Sequence, residues 1–331
     1  MDLEAILNIV YFIFQQTLFF MVPLMVVALG GLFSEKSGVV NIALEGKMIL
    51  GAFTGILTIS LFQESLPGYP ILIIGLLVAI ATGILASLLH AYASINLKAN
   101  QVISGIAINM FAPAFAIYTA RIVTGTQNVG FNNEFRIASV PFLGNIPFFG
   151  PMLFQNTYIT TYLGFLILAV GAFVIYKTKF GLRLRACGEH PGAADSVGIS
   201  VAKMRYAGVI ISGALAGLGG VILIISAFTL FSGTVAGYGF LALAVLIFGG
   251  WNPVKIIFAA FFFGLMKAVA ASYVGIAHEM PTDFLRDLIL MVPAHFYRMF
   301  PYVATLVLLA FTSKKTIAPK ALGIPYDKGQ R

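Results

Sequence analysis

Apolar runs long enough to cross a lipid bilayer recur from the N-terminus to about Phe311, with no soluble-looking block between them. A hydrocarbon layer of about 30 Å takes roughly 20 helical residues to cross, so these runs read as membrane-spanning helices. Composition agrees: 60% of the 331 residues are hydrophobic, 10% are charged, thirty are phenylalanine, and the mean hydropathy is +0.97. Soluble globular domains are far more polar than this.

A window of about 19 residues places spans near 6–32, 38–62, 71–95, 102–120, 158–176, 207–227, 238–250, 255–275 and 295–312. The fold class is therefore all-α: a polytopic membrane helix bundle of about 8–10 transmembrane helices, including broken helices and pseudo-repeated halves, in a single domain over 1–331. The first run follows Asp2 and Glu4 rather than a basic stretch and exceeds a signal peptide's apolar core, so it reads as a retained span.

The net charge of +8 raises nucleic acid as a partner, but its distribution argues otherwise. Lys177, Lys179, Arg183, Arg185, Lys203 and Arg205 lie in one loop, and Lys314, Lys315, Lys320, Lys328 and Arg331 lie in the tail. Positive loops stay on the cytoplasmic side of a cell membrane. The expected topology has 177–206 as a cytoplasmic loop, 313–331 as a cytoplasmic tail, 121–157 and 276–294 outside, and an external N-terminus. No nucleic-acid role is expected.

Two spans are irregular. The second contains Gly38, Gly46, Gly51 and Gly55, and 238–250 is too short for a straight crossing and follows SGTVAGYG at 232–239. Both begin Ser-Gly-x-Val, at Ser37 and Ser232. Gly-interrupted or short segments in matching places of two halves point to a substrate pathway between internal repeats. The loop run VPFLGNIPFFGP at 140–151 should be ordered but irregular, its phenylalanines serving headgroups or an external protein.

Within the spans, Asn41 and Glu45 are four apart and on a helix would share a face pointing into the bundle. An intramembrane carboxylate is a functional candidate, although Glu45 can equally pair with Lys47 or Lys36, or cap a helix break. Asn109 can line the pathway or bond between helices. Phe228, Phe231 and Tyr238 flank the second break and, with Phe111 and Phe115, can stack a flat ring or simply face lipid. Lys267 can serve the pathway or snorkel. Ser212, Gly213, Ala214, Gly217, Gly219 and Gly220 form a small-residue face for close, slidable packing.

No enzyme chemistry is expected: there is no nucleophile motif and no His/Glu pair at metal-ligand spacing. The single Cys187 excludes an internal disulfide framework. Gly46-Lys47 is followed by Met48 without a properly spaced upstream glycine, so the chain has no phosphate-binding loop for ATP. No cofactor is expected in this chain.

KTKFGLRLRACGEHPGAADSVGISVAKMR at 177–205 is the most informative segment. Pro191 suits a first helical position, Glu189 and His190 can cap it, and Gly198 can end a helix of about two turns. Ala193, Ala194 and Val197 make a small apolar strip at helical spacing. A solvated loop held near anionic headgroups is the competing use.

This segment resembles the EAA-type coupling loop of ABC importer permeases, where a short helix after a Gly-Glu-x-Pro-x-Ala-Ala pattern docks on the ATP-binding subunit. SGVVNIALEG at 37–46 resembles the same family's Gly-hydrophobic-Asn-x-x-x-Glu-Gly signature, and the 140–151 run and YGFLALAVLIFGGWNP at 238–253 resemble its other landmarks. The likeness spans most of the chain and is to the branched-chain amino acid, simple-sugar and nucleoside permeases, most of all the nucleoside branch.

The resemblance implies a pathway for a small polar solute, nucleosides or alternatively simple sugars, with Asn41, Glu45, Asn109, Phe111, Phe231 and Tyr238 as pathway candidates. It implies coupling through Gly188, Glu189, Pro191, Ala193, Ala194, Val197 and Gly198. The partners implied are an ATP-binding cassette subunit carrying ATP and Mg, a second permease subunit, an external substrate-binding lipoprotein and membrane lipid. An ion-coupled secondary transporter is the competing class, although buried ionisable groups to bind a coupling ion are few.

Overall fold

The computed structural model describes residues 3–278, 283–312 and 318–328. Parts of the expected 276–294 segment and 313–331 tail, namely 279–282, 313–317 and 329–331, lie outside the described residues.

Seven described helices are long and apolar enough to cross a membrane. In chain order the helices are α1 (Leu3–Lys36), α2 (Leu44–Phe62), α3 (Tyr69–Ala91, continued by a π turn over Tyr92–Asn96), α4 (Gln101–Thr124), α5 (Ile159–Lys177), α6 (Lys179–Glu189), α7 (Pro191–Ser196), α8 (Val201–Ala227), α9 (Tyr238–Phe248), α10 (Pro253–His278), α11 (Asp283–Met291) and α12 (Ala294–Thr312). The basic loop and the 318–328 segment meet at one end of the bundle, here called the basic end. The 125–158 loop lies at the other.

Helix α1 is about 51 Å long at 1.5 Å per residue, and Leu24 to Leu29 on it are fully buried. It packs on α5, α8, α9 and α10, while α2 and α3 pack on the other side of α8. The outer helices keep large apolar side chains exposed: Leu77, Leu85 and Leu89 on α3, Met110 and Tyr118 on α4, and Leu166 and Phe173 on α5. An apolar exterior around a close-packed centre is what lipid as solvent requires.

Small residues bring the central helices close. A Cβ on Gly213 or Gly217 would overlap the Gly83 or Ala79 carbonyl of α3, and one on Gly220 would overlap Met48 of α2. Gly219 instead meets Val27 of α1. The small residues of α8 thus serve three neighbours rather than forming the single face expected. The glycines 46, 51 and 55 likewise do not interrupt α2; they are contact points within a continuous helix, and the break precedes it at 37–43.

The 125–158 loop carries two short antiparallel pairs. Strand β1 (Val129–Gly130) pairs with β4 (Leu230–Phe231), and β2 (Arg136–Ser139) with β3 (Gln155–Tyr158), the latter in register Arg136↔Tyr158. The first pair ties this loop to the segment between α8 and α9.

Candidate functional site

After α1 the chain turns at Gly38, in the left-handed region at φ +95°, and runs without helix to Ala43 inside the protein. Backbone in such a place must find partners, and here side chains from distant helices supply them. Val40 N–H donates to Gln101 Oε1 (2.7 Å) and Asn109 Nδ2 donates to the Ile42 carbonyl (2.9 Å). Gly46 N–H, in the first turn of α2, donates to Asn109 Oδ1 (2.7 Å). His90 Nε2 lies 3.0 Å from the Val40 carbonyl; a carbonyl only accepts, so Nε2 carries the proton and Nδ1 faces Ser104 Oγ at 3.0 Å.

Asn41 therefore sits in the non-helical approach and not on a shared helical face with Glu45, because α2 starts only at Leu44. Their side chains have different partners. Asn41 Nδ2 donates to Ser212 Oγ of α8 (2.7 Å), and Asn41 Oδ1 accepts from Lys47 Nζ (2.8 Å). Lys47 is fully buried and takes this amide, not Glu45, as its partner.

Glu45 turns to the second break. Its Oε1 accepts from Gly237 N–H (3.0 Å) and its Oε2 from Gly239 N–H (2.6 Å), capping the start of α9. Gly237 is in the left-handed region (φ +77°), and Gly239 packs so closely on the Leu44–Glu45 backbone that any Cβ would overlap it. The first turns of α2 and α9 thus meet, and one carboxylate sits where the unsatisfied N–H groups of a helix start carry partial positive charge. Of the expected uses of Glu45, the structure has the helix cap, supplied across the fold rather than locally. Lys267 of α10 adds an opposite charge that interacts with it.

The aromatic candidates divide. Tyr238, the first residue of α9, is buried beside Phe20 (6.4 Å between ring centres). Phe231 is fully buried in the β1–β4 pair and packs on Phe53 at 5.9 Å. Phe53 also meets Phe115 at 6.3 Å, and Phe115 stacks on the exposed Phe111 at 5.4 Å. A run of rings therefore leads from the second break to the outer face of α4, with Tyr238 outside it.

At the basic end, α6 and α7 pack under the first break. Gly188 abuts the Lys36 carbonyl, and its own carbonyl accepts from Ala321 N–H (2.8 Å). The 318–328 segment also reaches Gly38 through Gly323 N–H (3.1 Å), accepts from Arg205 Nη1 at Ile324 (3.0 Å) and pairs Lys328 with Asp195 (3.3 Å). The short helix forms at Pro191, capped by His190 Nδ1 accepting from Ala193 N–H (3.3 Å), and Gly198 at φ +81° closes it. Glu189 is exposed just ahead of it. The expected strip is not one surface: Ala193 and Val197 face outward, Val197 at 74% exposure, while Ala194 is buried against Cys187 and Val201. Burial pushes the Cys187 thiol above its ordinary value, with Arg205 nearby opposing the shift.

Several contributors had little sequence signal. Gln101 and His90 lie near span ends, where polar residues are ordinary, yet both hold the first break. Glu35, at the end of α1, is buried and accepts from Trp251 Nε1 (2.6 Å), joining α1 to the α9–α10 turn. The Gly-Gly-Trp-Asn-Pro run was its only signal.

Comparison with known proteins adds a family to this geometry. Residues 13–309 match the model described as branched-chain amino acid transport system / permease component. The chain is 42% identical to the guanosine ABC transporter permease protein NupQ of Bacillus subtilis, covering 100% of both chains. It is 37% identical to the nucleoside ABC transporter permease protein NupC of Lactococcus lactis, over 98% of this chain and 99% of the relative. It is also 27% identical to the guanosine ABC transporter permease protein NupP of Bacillus subtilis, over 82% of this chain and 76% of the relative. No solved structure matches it. With its helices matched almost from end to end, the chain belongs to the branched-chain amino acid transport system permease family.

Proposed function

We propose that this protein is the membrane-spanning permease subunit of an ATP-driven importer for nucleosides. The observation that carries the reading is end-to-end similarity, at 42% identity, to a permease named for guanosine. The meeting of two half-bundle helix starts beside a buried carboxylate is the kind of broken-helix arrangement from which transporter pathways are built.

In this reading the basic end is cytoplasmic, in keeping with its lysines and arginines, and the N-terminus is external. ATP and Mg are handled by a separate ATP-binding cassette subunit that docks on the exposed side of α7, at Ala193 and Val197, with Gly188, Glu189, Pro191 and Gly198 shaping that element. Ala194 supports it from beneath. Asn41, Asn109 and Glu45 hold the two breaks, and Phe111, Phe231 and Tyr238 are the aromatic candidates along the pathway. A second permease subunit completes the pathway, and a substrate-binding lipoprotein delivers solute to the 125–158 loop.

The test is uptake of labelled guanosine by a host without its own nucleoside uptake, expressing this chain with its ATPase, partner permease and lipoprotein. Saturable uptake that requires this chain and is competed by nucleosides is expected. Competition by glucose and not by nucleosides would move the assignment to sugars.

A further inference from the structure

A cation lies between two tyrosine rings on the flank of α9. Lys267 sets its Nζ 5.2 Å from the ring centre of Tyr238 and 5.5 Å from that of Tyr302 on α12. Among the described residues no hydrogen-bond acceptor takes its protons, and Glu45 acts on it only as a nearby opposite charge. The Tyr238 hydroxyl, on a residue only 2% exposed, is likewise without a partner among the described residues. An ammonium offers three donors and a phenol both donates and accepts; leaving such groups unmatched is the exception in native structures.

Space adjoins them. Two clefts of about 470 Å³ and 510 Å³ share Lys267 and Tyr302, one reaching Phe240 and Leu306, the other Phe20 and Phe228. Sites for small organic ligands have this size and this mix of apolar wall with a few polar groups. The opposite charges of Glu45 and Lys267 leave the place neutral overall, which suits an uncharged ligand better than a phosphorylated one.

We infer that this double cleft is a station for the base of a transported nucleoside, and that Lys267 favours bases presenting a carbonyl, the 6-oxopurines among them. The inference rests on the nucleoside reading above. The ring of Tyr302, 58% exposed, offers a face for stacking. A 6-oxopurine turns O6 and N7, both acceptors, toward an approaching lysine. A 6-aminopurine keeps the N7 acceptor but sets an amino donor where O6 would accept.

The test uses the complete importer in proteoliposomes with saturating binding protein, comparing inosine and adenosine in wild type, K267M and K267R. K267M should lower maximal inosine uptake about tenfold, the worth of one charge-assisted hydrogen bond, and leave adenosine within about twofold. K267R should keep most inosine uptake. A direct readout uses A271C in the cleft wall, labelled with maleimide against the buried native Cys187. Inosine should slow its labelling in A271C and not in A271C/K267M. Equal loss of both nucleosides, no loss of either, or inosine protection that survives K267M would overturn the inference. A wild-type importer that carries neither nucleoside would overturn the nucleoside reading itself, before any variant is compared.

Discussion

Replacing Glu45 with alanine removes both acceptors at the start of α9. The carboxylate takes Gly237 N–H at 3.0 Å and Gly239 N–H at 2.6 Å, and among the described residues no other acceptor serves either group. A hydrogen bond to a charged group contributes about 1.5–3 kcal/mol, and bonds between membrane helices fall at or below the low end of such scales. Two of them give an expected loss of about 3 kcal/mol for E45A. E45Q keeps the shape and one acceptor, so about half that loss is expected. The assay is equilibrium unfolding in mixed micelles with increasing SDS, read by the fluorescence of Trp251, the single tryptophan. E45A unfolding with wild type, or E45Q losing as much as E45A, would refute the cap as the reason for an acidic residue at this position.

Four further outcomes follow from the basic end. Val197 is exposed at the C-terminal cap of α7 while Ala194 within it is buried, so V197E should abolish stimulation of the ATPase by substrate while leaving thermal stability unchanged. A194E should lower the melting temperature first, and a stable, fully coupled A194E would contradict the packing described. Because the Cys187 thiol is pushed up by burial, its thiolate fraction at neutral pH is below that of a free cysteine. Maleimide should therefore label it slowly at pH 7, faster as pH rises, and quickly after unfolding in SDS; rapid labelling of the folded protein at pH 7 would count against this. Finally, W251F leaves the buried Glu35 carboxylate without its indole donor and should cost about 2 kcal/mol, measurable by the same SDS titration followed by circular dichroism.

The spans were legible because roughly 20 apolar residues admit one solution in lipid. The Ser-Gly-x-Val starts marked both breaks for the same reason, since glycine and polar residues interrupt those runs. Where the first break ends was not legible. Periodicity through Asn41 and Glu45 fits a helix, and the chain stays non-helical only because Gln101, His90 and Asn109 satisfy its backbone from far along the sequence. The same long-range logic hid the target of Glu45, 192 residues away at Gly237. On α7 the helix and its caps were legible but its inner side was not, because Cys187 and Val201 from outside the helix pack under Ala194. Lys47 illustrates the limit most sharply: a lysine beside a glutamate suggests an ion pair, yet Glu45 is drawn away by α9 and Lys47 settles on an amide.

The most direct test of the central claim is the energy source. The chain is reconstituted in proteoliposomes with its ATP-binding subunit, partner permease and binding lipoprotein, and labelled guanosine is supplied on the lipoprotein side. The expected result is accumulation that requires ATP on the side of α7, is lost with V197E, and is indifferent to ionophores that collapse proton and sodium gradients. Accumulation that persists without ATP and disappears with the ion gradient would contradict it.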